Sequence, residues 1–248
     1  FIGALGICVR SLAPHLADKR TDPAVVNLDE AGRHVQSVLS GHLGGANALA
    51  RRLAHALGAE PVITTASDVQ ELWSLDLLAR TYGWTPSASP DLNAVIARFV
   101  NRRPTALLLE VRDRGTAFLE RTRPEHVTVF QHYEDIDFTR FELLIAVTYR
   151  QLAAPVPSLQ LWARALCVGL GCTRGAPTAG LAASAEALLA AHGLPRAAVR
   201  CIASASLKAD EPALRDWAAS LGAEFLTFNE ATLAAQPIVT PSAVVHEK

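Results

Sequence analysis

The stretch that decides the fold is ALCVGLGCTRGAPTAGLAASAEALLAAHGLPRAAVRCIASASLKADEPALRDWAASLGAEFLTF, residues 165–228. Residues 165–170 read as a buried strand and 171–175 as a loop. A helix then starts near Pro177, where a first-turn proline is tolerated, turns Leu181, Ala185, Leu188 and Leu189 inward, and ends at Gly193. Residues 199–203 form the next strand. Asp210-Glu211-Pro212 opens a second helix with a carboxylate at the N-cap, and its apolar stripe is Leu214, Trp217, Ala218 and Leu221. Gly222 stops it, and 224–228 is a third strand. Strands alternating with single helices predict an α/β domain with a mainly parallel sheet.

Upstream, 24–28 and 34–39 read as two short strands around the turn Asp29–Gly32, a hairpin. A helix follows the loop 40–45, with Leu49, Leu53 and Leu57 at i, i+4 and i+8, Arg51, Arg52 and His55 off that stripe, and Gly58 as its stop. Residues 61–65 are β-branched and read as a strand. In the middle, a helix over 69–82 and another after Pro90-Asp91 precede strands at 106–111, 116–120, 127–131 and 143–148. The charges there are spaced as on an ordinary surface, so the middle reads as scaffold. Leu152-Ala153-Ala154-Pro155-Val156-Pro157-Ser158 interrupts both periodicities and is the best linker. The expected organisation is 1–68, 69–154 and 155–248: an N-terminal α/β region, a variable middle region and a C-terminal βαβα domain.

The 248 residues are 50% hydrophobic and 19% charged, with mean hydropathy +0.20, which is enough apolar material for a real core. Lys+Arg at 23 against Asp+Glu at 24 leaves a net charge of −1, with no broad attraction for nucleic acid or anionic membrane. No apolar run is long enough to span a bilayer, so a soluble protein is expected. Cys8, Cys167, Cys172 and Cys201 are scattered in apolar contexts and form no C-x-x-C. They read as buried, reduced thiols of a cytoplasmic protein. The chain holds no Met and opens on Phe1, so its start, and by its abrupt end its C-terminus, read as trimmed.

Three loops could carry chemistry. In Ser40-Gly41-His42-Leu43-Gly44-Gly45-Ala46-Asn47, glycines ahead of a helix expose amides to an anion, and His42 could hold a proton, a metal or an acyl oxygen. The alternative is a tight turn with Ser40 or Asn47 capping the helix. Gly169-Leu170-Gly171-Cys172-Thr173-Arg174-Gly175 is a second anion cradle, spaced G-x-G-x-x-x-G. That spacing is neither a dinucleotide fingerprint nor a P-loop. In Leu207-Lys208-Ala209-Asp210-Glu211-Pro212, Lys208 could hold a carboxylate or stand in solvent. Gly3 to Arg10 has a similar look, glycines followed by an arginine on a helix.

At these loops the sequence resembles the cobalt-precorrin-5A hydrolases of cobalamin biosynthesis, the CbiG proteins. The resemblance lies in GALGICVRSLAPHLADKRTDPAVVNLDEAGR (3–33), VLSGHLGGANALARRLAHALGAEPVITTASD (38–68), VGLGCTRG (168–175) and LKADEPAL (207–214). It implies opening of the δ-lactone of a ring-contracted cobalt corrinoid, with release of acetaldehyde. It also implies cobalt carried by the substrate and no cofactor or metal bound by the protein. A macrocycle fringed with carboxylates suits several amide-rich and cationic loops.

On that reading His42 is the general base, with Ser40 beside it. Gly44 and Gly45 amides steady the oxyanion. Arg10, Arg174 and Lys208 hold carboxylates, and Gly41, Asn47, Gly169, Gly171, Cys172, Thr173 and Gly175 line the substrate. Neighbouring pathway enzymes are expected partners. Ser206 departs from the family, which commonly carries an acidic residue before the Leu-Lys pair. Two other readings stand beside this one: a non-catalytic corrinoid-handover protein, and an unrelated phosphate-binding α/β protein.

Overall fold

Asp29 closes the first hairpin. Its carboxylate accepts from the amides of Ala31, Arg33 and His34, and so pairs Val25–Leu28 (β1) antiparallel with His34–Leu39 (β2). The computed structural model describes residues 1–18, 21–88 and 91–237. In it the chain forms two compact units, residues 1–146 with 154–161, and residues 147–153 with 162–248.

In the first unit, Ile2 bridges Leu28 in parallel and leads into the helix Leu5–Leu12 (α1). The helix Ala46–Leu57 (α2) follows β2, and Glu60–Val62 (β3) returns parallel to β2, a shorter strand than 61–65 suggested. The face of α2 differs from expectation. Leu49, Leu53 and Leu57 are 37, 38 and 54% exposed, whereas Ala46, Ala50 and Ala54 pack with Val26 and Val35. The alanines share the i, i+4, i+8 spacing one turn-fraction away, and their small side chains let the helix lie close on the sheet.

The single helix expected over 69–82 is broken. Ala66–Val69 (α3) ends in a turn, with Glu71 in the left-handed region at φ 56, and Leu75–Tyr82 (α4) begins afresh. Thr85–Pro86 (β4) and Leu92–Val100 (α5) follow. The Asp91 carboxylate caps α5 by accepting from the Ala94 amide.

Thr105–Leu109 (β5) and Leu143–Thr148 (β7) are buried along their whole length, as central strands covered on both faces must be. Val127–Phe130 (β6) pairs parallel with β5, and Ser158–Trp162 (β8) completes a sheet of order β4-β8-β7-β5-β6. β8 begins at the end of the proline-interrupted stretch and was not anticipated. Residues 116–120, expected as a strand, belong to the helix Arg114–Arg121 (α6). Asp113 and Thr116 form a reciprocal capping box there, and that local signal outweighs the β propensity. The Asp113 carboxylate also accepts from the Trp84 indole at 2.8 Å.

In the second unit, Leu166–Gly169 (β9), Val199–Ala205 (β10) and Glu224–Phe228 (β11) form a parallel sheet of order β11-β10-β9. Between them run Thr178–Ala191 (α7) and Pro212–Ser220 (α8), and Glu230–Ala234 (α9) follows β11. The α/β class with a parallel C-terminal sheet is therefore as expected. Leu181, Ala185 and Leu189 lie on one i, i+4 line toward the core with Val199, Ile202 and Trp217. Leu188 sits off that line and is 62% exposed, contrary to expectation.

The carboxylate expected to cap α8 does not cap it. Glu211, 2% exposed, instead reaches the preceding loop, where its Oε1 accepts from the Gly175 amide at 2.9 Å while Oε2 lies 3.9 Å from Lys208 Nζ. Among the described residues no helix is long and apolar enough to cross a membrane. The last residues of the C-terminal region, 238–248, fall outside the described residues.

Two substitutions test this packing. A Cβ at Gly115 would overlap the rings of Trp84 and Tyr82. Gly115→Ala is therefore expected to destabilise the fold by about 1–3 kcal/mol in urea denaturation, as overpacking does. Glu211→Ala leaves the Gly175 amide and Lys208 without their buried acceptor. It should cost about 1–3 kcal/mol by the same measurement, with the 169–175 loop gaining amide exchange first.

Candidate functional site

The loop between β2 and α2 is built backbone first. Ser40 holds φ 54, and its hydroxyl donates to the Asp22 carbonyl at 2.8 Å. Gly45, at φ 86, starts the helix. Gly41 and Gly44 admit no side chain: a Cβ would lie 2.7 Å from Asn47 Oδ1 in the first case and 2.8 Å from the Ser40 carbonyl in the second. The amides of Gly45, Ala46 and Asn47 donate to the carbonyls of His42, Ser40 and Gly41, at 3.0, 3.2 and 3.0 Å. Three amides at the loop's end therefore turn on its own carbonyls. Of the two amides expected to steady an oxyanion, that of Gly45 is thus taken by the His42 carbonyl, and the Ser40 hydroxyl is committed away from His42.

What the loop does present is the imidazole. His42 Nε2 lies 2.8 Å from Asp68 Oδ2, with the hydroxyls of Ser67 and Ser74 at 3.2 and 3.3 Å, and Nδ1 lies 3.4 Å from Asp76 Oδ1. The three charged side chains are only 19, 17 and 14% exposed. The break between α3 and α4 makes this possible. On one continuous helix, residues 68 and 76 would be about 12 Å apart along the axis. The turn at Glu71 instead brings Ser67 and Asp68 from α3, and Ser74 and Asp76 from the start of α4, around a single ring.

Asp68 is the most connected group. Its Oδ2 accepts from Thr65 Oγ1 at 2.5 Å and Asn47 Nδ2 at 2.9 Å, and its Oδ1 from the Arg51 guanidinium at 2.6 Å. Asn47 is itself fixed by Ser37, whose hydroxyl donates to its Oδ1 at 2.6 Å. Arg80 holds the loop from outside by donating to the Leu43 carbonyl.

Burial by itself would raise the Asp68 carboxyl, but the bonds from Thr65, Arg51 and His42 outweigh it and hold the pKa at about 2. The Asp76 carboxylate, and then that of Asp68, push the His42 pKa up against the opposing effect of burial. His42 is thereby favoured as an imidazolium with both nitrogens facing carboxylates. A general base, the role expected from the sequence, requires the ring to give up a proton first. Beside the ring, a groove of about 500 Å³ is lined by Ser67, Asp68, Ser74, Trp73, Tyr82 and Phe118, among others.

In the second unit the two remaining motifs do meet. Loops 169–175 and 207–212 follow β9 and β10 and are joined by the buried Glu211. Arg174 pairs with Asp210 at 3.3 Å and donates to the Leu207 carbonyl at 3.2 Å, so its charge is already matched. An anion at Gly175 would have to displace Glu211. Gly169 ends β9, Gly171 and Thr173 continue the loop with Cys172, half-buried, between them, and Arg10 is exposed on α1. The four cysteines are free, but Cys167 is exposed, not buried as expected, because it stands on an edge strand.

Sequence reasoning missed Asp76, Ser74 and the groove, all in the middle region taken as scaffold, and gave Asp68 no role. The one local signal was Thr65-x-x-Asp68, a spacing at which a hydroxyl and a carboxylate meet across a helical turn.

Comparison with known proteins comes to the same family as the motifs. The model for the cobalamin synthesis G N-terminal region matches residues 1–68, that for the cobalamin biosynthesis central region 73–164, and that for the cobalamin synthesis G C-terminus 166–248. A cobalt-precorrin-5A hydrolase of Priestia megaterium is 34% identical over 247 residues, covering 98% of this chain and 66% of the relative. One from Salmonella typhimurium strain LT2 is 39% identical over 241 residues, covering 94% and 66%. The chain thus spans just under two thirds of the length of these curated relatives. A crystal structure of a cobalamin biosynthesis protein G homolog from Sulfolobus solfataricus aligns with 98% of this chain and 69% of its own, at 19% identity and a TM-score of 0.42. With three successive models accounting for both units, the chain belongs to the cobalamin synthesis G (CbiG) family.

Proposed function

We propose that this chain carries the hydrolytic site of a cobalt-precorrin-5A hydrolase, opening the δ-lactone of a cobalt corrinoid and releasing acetaldehyde. The observation that carries the reading is the His42 ring set between the carboxylates of Asp68 and Asp76, one at each nitrogen, beside an aromatic-lined groove. The names of the relatives supply the substrate class. The substrate brings its own cobalt, and the chain's part is to position the macrocycle edge and move protons.

As water adds to the lactone carbonyl and the ring C–O bond breaks, His42 gives its proton to the leaving oxygen. The remaining proton of the water and that of the new acid go to solvent. The now neutral imidazole, made a stronger base by its two carboxylates, takes the proton of the freed hydroxyl. The adjacent carbon–carbon bond then breaks, acetaldehyde leaves with its new C=O, and the electron pair stays on the macrocycle. His42 ends the cycle protonated, as it began. Asp68, ionised throughout, stabilises the cation at each return. Trp73, Tyr82 and Phe118 offer an apolar wall to the macrocycle, and Arg10, exposed on α1, is a cation for a peripheral carboxylate.

The test is anaerobic incubation with the lactone-form cobalt corrinoid, with mass spectrometry of the macrocycle and chemical trapping of aldehyde. Hydrated, two-carbon-depleted product with trapped acetaldehyde is expected. Tight binding with unchanged mass would replace the proposal by corrinoid handover. His42→Asn should lower turnover about 10²–10³-fold while corrinoid binding is retained.

The pH dependence has a defined sign. His42 acts first as an acid and its pKa is raised, so activity is present below that pKa and falls as pH rises through it. Asp68→Asn removes one carboxylate and should move this alkaline limb to lower pH. The same change removes a carboxylate whose pKa is depressed to about 2. It should destabilise the first unit by roughly 2 kcal/mol at neutral pH, and this difference vanishes as pH falls from about 4 toward 2.

A further inference from the structure

Away from the His42 site, the second unit holds a pair of thiols that its hydrolytic reading does not use. Cys167 on β9 and Cys201 on β10 are directly opposed in the parallel register. Paired residues on neighbouring strands stand about 4.8 Å apart, inside the range that a disulfide spans. The two differ in setting. Cys167 is exposed on the edge strand, and the Arg200 guanidinium donates to its sulfur at 3.2 Å. Cys201 is 2% exposed behind it.

We propose that Cys167 and Cys201 form a thiol–disulfide exchange site that takes a small-molecule disulfide, with Cys167 as the attacking thiol and Cys201 as the resolving one. The Cys167 thiolate attacks one sulfur of the small disulfide and expels the other half as a thiolate, leaving a mixed disulfide. Cys201 then gives its proton to solvent and attacks the Cys167 sulfur, expelling the second small thiol. The balance is one protein dithiol oxidised to a disulfide and one small disulfide reduced to two thiols.

The division of labour follows from the surroundings. Hydrogen bonds from Cys201 and Arg200 lower the Cys167 pKa, whereas burial raises that of Cys201. The bond would form two residues before Gly169, so it would clamp the edge strand at the root of the 169–175 loop.

The experiment uses the full chain, fully reduced and then exposed to oxidised glutathione, with remaining thiols capped by N-ethylmaleimide and the digest read by mass spectrometry. A cross-linked peptide pair containing Cys167 and Cys201 is expected, with Cys172 recovered capped. Cys201→Ser should stop the reaction at a glutathione adduct on Cys167, and Cys167→Ser should abolish adduct and cross-link alike. Arg200→Gln should move the midpoint of Cys167 alkylation against pH upward. Recovery of both cysteines as separately capped peptides, or a cross-link that recruits Cys172 instead, would overturn the proposal. Should Cys201→Ser fail to fold, the wild-type cross-link and the Arg200→Gln shift decide the matter between them.

Discussion

Three elements of the first unit are fastened by one carboxylate. Asp68 receives Thr65 from its own turn, Asn47 and Arg51 from α2, and His42 from the glycine loop. A carboxylate has about four lone-pair positions, and here Oδ2 faces three donors while Oδ1 takes the Arg51 guanidinium. Such a group is costly to bury alone and stabilising once saturated. The loop, the helix and the α3 turn are consequently specified together. The glycines at 41 and 44 belong to the same constraint, since they let Asn47 and Ser40 occupy the space that a Cβ would take.

The site thus joins residues from both sides of a boundary drawn through the sequence. The imidazole comes from a conspicuous motif, while one of its two carboxylates comes from a stretch with no motif at all. The arrangement favours the protonated form of His42 in a largely buried setting, with the groove beside it. In the second unit the same economy appears differently. Glu211 fills an amide that an unpaired loop would have left for a ligand.

Much of this was legible in the sequence. The alternation of strand and helix after residue 165 set the class, the helix stops at Gly58 and Gly222 fell where expected, and His42 stood out because glycines on both sides left a turn with little else to explain it. What stayed hidden was of two kinds. Some features depend on contacts distant in sequence, such as Asp76 reaching back 34 residues to His42, which no periodicity records. Others were local conflicts in which a short-range signal won. The capping box at Asp113 made a helix of a β-prone run, and the turn at Glu71 cut a helix whose apolar spacing continued through it. The loop around His42 misled for a related reason: the glycines at 41 and 44 show that backbone comes close to something, and here that something is Asn47 and the loop's own Ser40.

The alanine face of α2 has a consequence for how the family can vary. At positions 46, 50 and 54 the alanines are completely or almost completely buried against the sheet, whereas the leucines at 49, 53 and 57 stand largely outside that contact. Along this helix side-chain volume, and not hydropathy, sets what is permitted. Drift among related chains should therefore be narrow at the least hydrophobic of its apolar positions and wide at the most hydrophobic ones, the reverse of the profile that burial of large residues would impose.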